Sequence, residues 1–310
     1  MTTTSRTAVS STAAGDVVAP RVSLARGLVI TARPRQWIKN VLVLAAPLAA
    51  EVLHHRTVLE HAVTAFVALC IAASGTYFVN DVTDIDSDRN HPAKRNRPVA
   101  AGVVSVRLAL TVGITLLLFA LAVSVVLGPA FVAVVATYIA LTVSYSTWLK
   151  MIPVVDIAAV ATGFLLRAIA GAVAVPVALS SAFLLVASFG ALFVVVGKRH
   201  GDQLALDVDV APYRPTLAAY TPEFTSQLVA ASLTATLVCY AMWAFNTDLG
   251  EAGVPWVACS MLPFTVGMLR ATQLVVRGEG VDPERMLADP GLLVAGGLTF
   301  AMLVAGLYVW

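Results

Sequence analysis

Long apolar runs and polar links alternate along the whole chain. Nine apolar spans can be drawn, at about 37–53, 61–79, 107–127, 130–147, 154–175, 181–197, 224–245, 252–270 and 291–309. Each is about as long as a helix must be to cross the hydrocarbon core of a bilayer, where a lone segment satisfies its own backbone polar groups only as a helix. The links after the second, fourth, sixth and eighth spans are polar and charged. Those after the first, third, fifth and seventh are short: His54-His55-Arg56, Gly128-Pro129, Pro176 to Ser180, and Asn246 to Glu251. The pattern predicts an all-α integral membrane bundle of nine transmembrane helices over residues 21–310. Residues 1–20 are rich in Ser, Thr and Ala, lack the apolar stretch of a cleavable signal peptide, and are expected to form a disordered tail.

Composition agrees. Of the 310 residues 59% are hydrophobic and 12% charged, and the mean hydropathy is +0.85, whereas soluble domains carry about 25% charged residues. The net charge of +2 says nothing about partners and gives no reason to expect nucleic acid. The placement of the charge is informative. Six Lys and Arg precede or include Lys39, five lie in 80–107, Lys150 adds one, and 198–223 and 270–290 hold three each, so 18 of 20 fall on one side of the nine-span layout. By the positive-inside bias the N-terminus and the long links face the cytoplasm of a multi-pass plasma-membrane protein, with Trp310 outside. Cys70, Cys239 and Cys259 lie within apolar runs without metal-ligand spacing and read as packing residues.

The second span runs into Asn80-Asp81-Val82-Thr83-Asp84-Ile85-Asp86-Ser87-Asp88. If its helix continues past Val79, then Asp81, Asp84 and Asp88 stand at i, i+3 and i+7, with Asn80 and Asp84 at i, i+4, all on one face; Asp86 points elsewhere. Like charges gathered in this way repel one another unless a cation joins them. Mg²⁺ takes a few carboxylates together with substrate phosphate oxygens, so Asn80, Asp81, Asp84 and Asp88 are candidate magnesium ligands. The plain alternative is a solvated charged loop. Arg89, Lys94, Arg95 and Arg97 follow at once, and cations beside such a cluster suit a polyanion such as a diphosphate; anchoring by the positive-inside rule is the bland reading of that run.

Other candidates lie at span ends on the same side. Lys39 opens the first span, Tyr145 and Lys150 end the fourth, Asp156 starts the fifth, and Lys198-Arg199-His200 follow the sixth. Singly each reads as an anchoring or snorkelling residue; together they set cations around the aspartates. Arg167 falls two to three turns into the fifth span. An intramembrane charge of this kind faces the bundle interior and marks a functional site unless a carboxylate pairs with it.

The stretch 80–88, followed by Asp88-Arg89-x-x-Pro92-x-Lys94-x-x-Arg97-Pro98-x-x-x-Gly102, resembles the UbiA-type intramembrane prenyltransferase superfamily, and the likeness covers nearly all of the chain after about residue 25. That resemblance implies nine transmembrane helices and a Mg²⁺-bound diphosphate. Aromatic prenyltransferases of this kind carry a second Asp-x-x-x-Asp motif after the sixth helix. Here the chain reads Gly197-Lys198-Arg199-His200-Gly201-Asp202, and Asp202, Asp207 and Asp209 do not reproduce that spacing. Four segments are instead similar to the decaprenyl-phosphate phosphoribosyltransferase branch: Arg33 to Asn40, Tyr145 to Lys150, Leu166 to Gly171, and Gly197 to Arg199.

The resemblance implies transfer of phosphoribosyl from 5-phosphoribosyl 1-diphosphate (PRPP) to decaprenyl, or another polyprenyl, phosphate, with release of pyrophosphate, in the making of a cell-wall arabinan precursor. On this reading the catalytic set is Asp81, Asp84, Asp88 and Lys150. Asn80 and the three aspartates hold Mg²⁺. Lys39, Arg95, Tyr145 and Lys150 meet the diphosphate or ribose, and Lys198 and Arg199 the 5-phosphate or the lipid phosphate. Arg167 reaches into the cavity or braces it. The lipid tail enters between helices from the membrane, and a homo-oligomer is left open. Rival readings are a prenyl diphosphate donor with an aromatic or lipid acceptor on the same fold, and a membrane transporter.

Overall fold

The structure, a computed structural model, describes residues 23–175, 177–204, 215–247, 254–278 and 288–309. The expected tail at 1–20, Asp207, Asp209 and Trp310 lie outside the described residues. The described chain is helical and contains no strand. Its helices are α1 (Leu24–Ala32), α2 (Ala45–Ala49), α3 (Arg56–Thr83), α4 (Ile85–Asn90), α5 (Val106–Ser124), α6 (Pro129–Thr147), α7 (Val155–Ala174), α8 (Ser181–Leu204), α9 (Pro215–Ala218), α10 (Pro222–Asn246), α11 (Trp256–Cys259), α12 (Met261–Val276) and α13 (Pro290–Val304), with short 3-10 turns between them.

Eight segments among the described residues are long and apolar enough to cross a membrane, and they match the second to ninth expected spans. The first expected span, 37–53, is not one helix. A 3-10 helix, Pro34–Leu44, leads into the five residues of α2. Pro47 explains the break, because a proline inside a helix removes a backbone donor and its ring strikes the carbonyl four residues earlier. The second span is longer than expected and continues through Thr83, and the sixth continues through Leu204. In the link after the sixth span α9 forms a short helix; 205–214 and 279–287 lie outside the described residues.

Local chemistry sets the helix starts. Side-chain oxygens of Ser105, Thr221 and Asp289 accept from the backbone N–H three residues on, at 3.3, 3.2 and 2.9 Å, satisfying donors that a helix start leaves open. Gly128, at φ 94°, turns the chain between the third and fourth spans, and Pro129 then opens α6.

Helices α3 and α7 are the central pair, each more than half buried, whereas the other spans turn most of their surface outward. One packed cluster joins Val43, Leu69, Phe131, Tyr138 and Leu166; a second joins Ile157, Phe193, Val196, Tyr220, Val229 and Val275. Helix α7 contributes to both, so it bridges the two halves. Between membrane helices lipid offers no hydrophobic drive to associate, and close backbone approach supplies the packing energy instead. At Gly171 of α7 a Cβ would stand 1.9 Å from the carbonyl oxygen of Val43. Only glycine lets the broken first segment lie against α7, and that contact brings Asn40 within reach of the bundle centre.

Candidate active site at the rim of the bundle

The acidic residues sit where α3 gives way to α4. Asp84 caps α3, and backbone bonds from Asp84 N to Asn80 O (2.9 Å) and from Asp88 N to Asp84 O (2.7 Å) carry the helical path across the break. The side chains therefore keep the expected one-sided order. Nη1 of Arg97 donates to Oδ2 of Asp88 at 2.7 Å and to Oδ1 of Asp81 at 3.4 Å. Arg33 bonds the same Oδ1 of Asp81. Lys150 bonds Oδ1 of Asp84, whose Oδ2 accepts from Nδ2 of Asn80 at 3.0 Å. Asp86 is exposed and lies 3.8 Å from Arg89, its nearest cation.

Three carboxylates thus meet three cations drawn from three distant parts of the chain. Asp81 and Asp88 are only 1% and 2% exposed, a state that carboxylates tolerate when paired and hydrogen-bonded. Arg33 reaches Asp81 because it ends α1 in the left-handed region (φ 53°) just before Pro34, and its guanidinium lies 4.8 Å from the centre of the Tyr77 ring. Nδ1 of His91 accepts from the backbone N–H groups of Ala93 and Lys94 at 3.1 and 3.3 Å, ordering the basic turn. Burial, then the charge of Lys94, hold this imidazole below its ordinary pKa, in keeping with a ring nitrogen that accepts.

The donor chemistry suits a hard divalent ion. Oδ2 of Asp81 and Oδ1 of Asp88 receive no protein donor among the described residues, and an ion that takes one or two carboxylates and fills its shell with phosphate and water needs no more. As the side chains stand they are drawn onto arginine and lysine. Among the described residues no three His, Cys, Asp or Glu gather as a metal cage.

A second polar cluster stands beside the first. Asp156, buried at the start of α7, accepts from Nε of Arg199 at 3.0 Å and from the hydroxyl of Tyr220. Arg199 also donates to the hydroxyl of Tyr145 at 3.1 Å. Burial, then the bond to Asp156, push the Tyr220 hydroxyl up to about 12, so it is protonated and donates. Its oxygen accepts the backbone N–H of Val154 at 2.7 Å. Val154 has φ 67° and ψ −43°, a conformation that costs of order 1–3 kcal/mol and persists only where the surroundings hold it.

Arg167 lies deeper, eleven residues into α7 from Asp156, which is about 16 Å along a helix. It faces the interior, as expected, but no carboxylate among the described residues pairs with it. Nε donates to Oδ1 of Asn40 at 2.8 Å, Nη1 to the carbonyl of Gly163 at 2.7 Å, and Nη2 to the hydroxyl of Tyr138 at 2.8 Å. The guanidinium therefore braces the broken first segment, α6 and α7 together.

Of the residues expected in the site, Asn80, Asp81, Asp84, Asp88 and Lys150 come together at the rim. Tyr145 and Arg199 join the neighbouring cluster, where Arg199 is spent on Asp156. Lys39, midway along the 3-10 helix Pro34–Leu44, and Lys198, which lies within α8 rather than after it, are half-buried. Arg95 is exposed and makes no ion pair among the described residues, whereas Arg97, two positions on, pairs with Asp81 and Asp88. Asp156 is among the span-end candidates read from the sequence and Arg97 lies in its basic run; Arg33 and Asn40 enter only within the stretch Arg33 to Asn40, and Tyr138 and Tyr220 are not singled out. For Arg33 and Arg97 a signal existed, since each precedes a proline that turns the chain back. Tyr138 reads as one more core aromatic within an apolar run, and Tyr220 carries no sequence signal.

The pattern of the UbiA prenyltransferase family matches residues 41–308. Decaprenyl-phosphate phosphoribosyltransferase of Corynebacterium glutamicum is 41% identical over 301 residues, covering 94% of this chain and 89% of that protein. The enzyme of the same name from Mycobacterium tuberculosis is 43% identical over 272 residues, covering 86% of this chain and 89% of that protein. In three dimensions the chain is similar to a UbiA homolog from Archaeoglobus fulgidus bound to GPP and Mg²⁺, with a TM-score of 0.69 at 19% identity over 91% of this chain and 99% of the other; at that identity the likeness speaks for the fold. The all-helical multi-pass architecture agrees with this likeness, and the chain belongs to the UbiA prenyltransferase family.

Proposed function

We propose that the protein transfers the 5-phosphoribosyl group of PRPP to decaprenyl phosphate, or another polyprenyl phosphate, and releases pyrophosphate in a Mg²⁺-dependent reaction. Likeness to two decaprenyl-phosphate phosphoribosyltransferases along nearly the full chain carries this reading. The chemistry of the rim supports it. After the sixth expected span the chain offers Lys198 in place of a second acidic motif, with Arg199 beside it held on Asp156, which suits a donor that brings an additional phosphate. Eighteen of the 20 Lys and Arg lie on the acidic side of the nine-span layout, which supports a plasma-membrane protein with its N-terminus and site facing the cytoplasm.

In the transfer, the bond from ribose C1 to the diphosphate oxygen breaks, and a bond from C1 to an oxygen of the lipid phosphate forms. Negative charge grows on the leaving diphosphate as C1 acquires oxocarbenium character. Lys150 and Arg97 already stand at the carboxylates and can exchange those partners for phosphate oxygens. Asp81, Asp84, Asp88 and Asn80 would hold Mg²⁺, which supplies charge neutralisation to the departing group. The lipid phosphate is already an anion, so no residue is needed to remove a proton from it.

The test is to incubate the purified protein with ribose-labelled PRPP and decaprenyl phosphate. A labelled lipid product with equivalent pyrophosphate, abolished by chelation, is the expected result. Product formed only from a prenyl diphosphate, the ligand class bound by the Archaeoglobus fulgidus homolog, would replace this reading.

A further inference from the structure

Lys150 stands on a short link between α6 and α7, yet it must deliver an ammonium to one oxygen of Asp84. Nothing on the link's own sequence fixes it there. A 3-10 turn, Leu149–Met151, is followed by Ile152, Pro153 and the left-handed Val154. What holds the link is the second cluster. Oγ1 of Thr216 lies 3.4 Å both from the carbonyl oxygen of Lys150 and from Oδ2 of Asp156. Tyr220 accepts from Val154 N at 2.7 Å and donates to Oδ1 of the same Asp156. Arg199, from the end of α8, closes the cluster on Asp156 at 3.0 Å. The link is therefore gripped at the Lys150 carbonyl and at the Val154 N–H by one buried carboxylate and the two hydroxyls bonded to it.

We propose that Tyr220 and Asp156 are positioning residues for Lys150: they hold the link in the bent form that aims the ammonium at the acidic rim, and neither touches the diphosphate itself. Without the Tyr220 hydroxyl, Val154 N–H loses its acceptor, and the bend keeps only the bond from Asp156 N to Ile152 O at 3.0 Å and the long contact of Thr216. The link then relaxes towards extended backbone, and Lys150 loses its fixed register against Asp84. The same device explains why α9 and Tyr220, distant in sequence from the link, pack beside it. The proposal rests on reading Lys150 as a diphosphate-binding cation.

Binding of magnesium pyrophosphate, measured by calorimetry on the detergent-purified chain, tests it in four proteins: the unaltered chain, Tyr220→Phe, Lys150→Met and the double variant. Pyrophosphate leaves from either class of donor, so the result does not depend on the identity of the group transferred. Lys150→Met is expected to weaken binding about tenfold and Tyr220→Phe about fivefold, while the double variant binds no more weakly than Lys150→Met alone. An equal further loss from Tyr220→Phe in the Lys150→Met background would overturn the proposal, since Tyr220 would then act without Lys150. So would unchanged binding in either single variant. Asp156→Asn, which keeps the size of the side chain, should follow Tyr220→Phe; wild-type binding by Asp156→Asn would also overturn it. Failure of the unaltered chain to turn over PRPP while this pattern holds would count against the proposed donor and leave the positioning role standing.

Discussion

Nη1 of Arg97 lies 2.7 Å from Oδ2 of Asp88 and, two helical turns back, 3.4 Å from Oδ1 of Asp81. One guanidinium thus spans two carboxylates that would otherwise repel across the start of the site. Arg97→Leu should lower the stability of the purified chain by about 2 kcal/mol. That is less than the about 3–5 kcal/mol of a fully buried pair, because the Arg97 side chain is 26% exposed. Arg97→Lys should recover only part of it, since an ammonium lacks the planar fork. Thermal unfolding in detergent, followed by tryptophan fluorescence, measures both.

Asp84 differs from its neighbours in being half-exposed and held by a lysine. Asp84→Asn should leave the fold intact and lower Mg²⁺-dependent turnover on the order of 10²–10³-fold, the range seen when one charge-stabilising group is removed from an active site. Asp86→Asn, on the outward side of the same turn, should keep turnover within about twofold of the unaltered chain, as befits an exposed pair of small energy. Steady-state rates of the two variants, compared at equal amounts of folded protein, decide the matter.

At Gly171 the backbone of the broken first segment lies directly against α7. Gly171→Ala sets a methyl 1.9 Å from the Val43 carbonyl oxygen, so stability should fall at or beyond the upper end of the about 1–3 kcal/mol typical of overpacking. Turnover should fall with it, because Asn40 and Arg33 flank the displaced stretch. Gly296→Ala is the control: nothing stands within 4 Å of its added Cβ, and its unfolding temperature should match or exceed that of the unaltered chain.

Asp289 caps α13, and Arg270 of α12 donates to it at 2.7 and 3.2 Å. The Arg270 hydrogen bonds, then the backbone N–H of Leu292, hold this carboxyl below its ordinary pKa. A depressed carboxyl contributes stability that is fully present above its unfolded pKa and is lost as pH falls through the lower folded value. Asp289→Asn should therefore unfold at a lower temperature than the unaltered chain at pH 7, and the gap should close as the pH drops below about 4. A gap of constant size across that range would show that the charge plays no part.

The apolar periodicity made the bundle legible, because each membrane span must be a helix and must be long. The first span misled for a local reason: its hydropathy sufficed, but Pro47 and the polar positions Lys39 and Asn40 could not sit in one straight helix. The acidic face was legible through spacing alone, since i, i+3 and i+7 remain on one side even across the break at Asp84. Its partners were harder to find. Arg33, Arg97 and Lys150 come from three separate stretches, and only packing brings them to Asp81, Asp88 and Asp84. Arg167 illustrates the limit best. Its burial was expected from depth, but its neutral partners Asn40, Gly163 and Tyr138 belong to contacts that no spacing along the chain records.

A structure of the chain with magnesium pyrophosphate bound tests the rim site most directly. The expected result is the ion among Asn80, Asp81, Asp84 and Asp88, with Lys150 and Arg97 turned from their carboxylates onto phosphate oxygens. Pyrophosphate lodged elsewhere, with Asp84 still closed on Lys150 and Asp88 on Arg97, would contradict it.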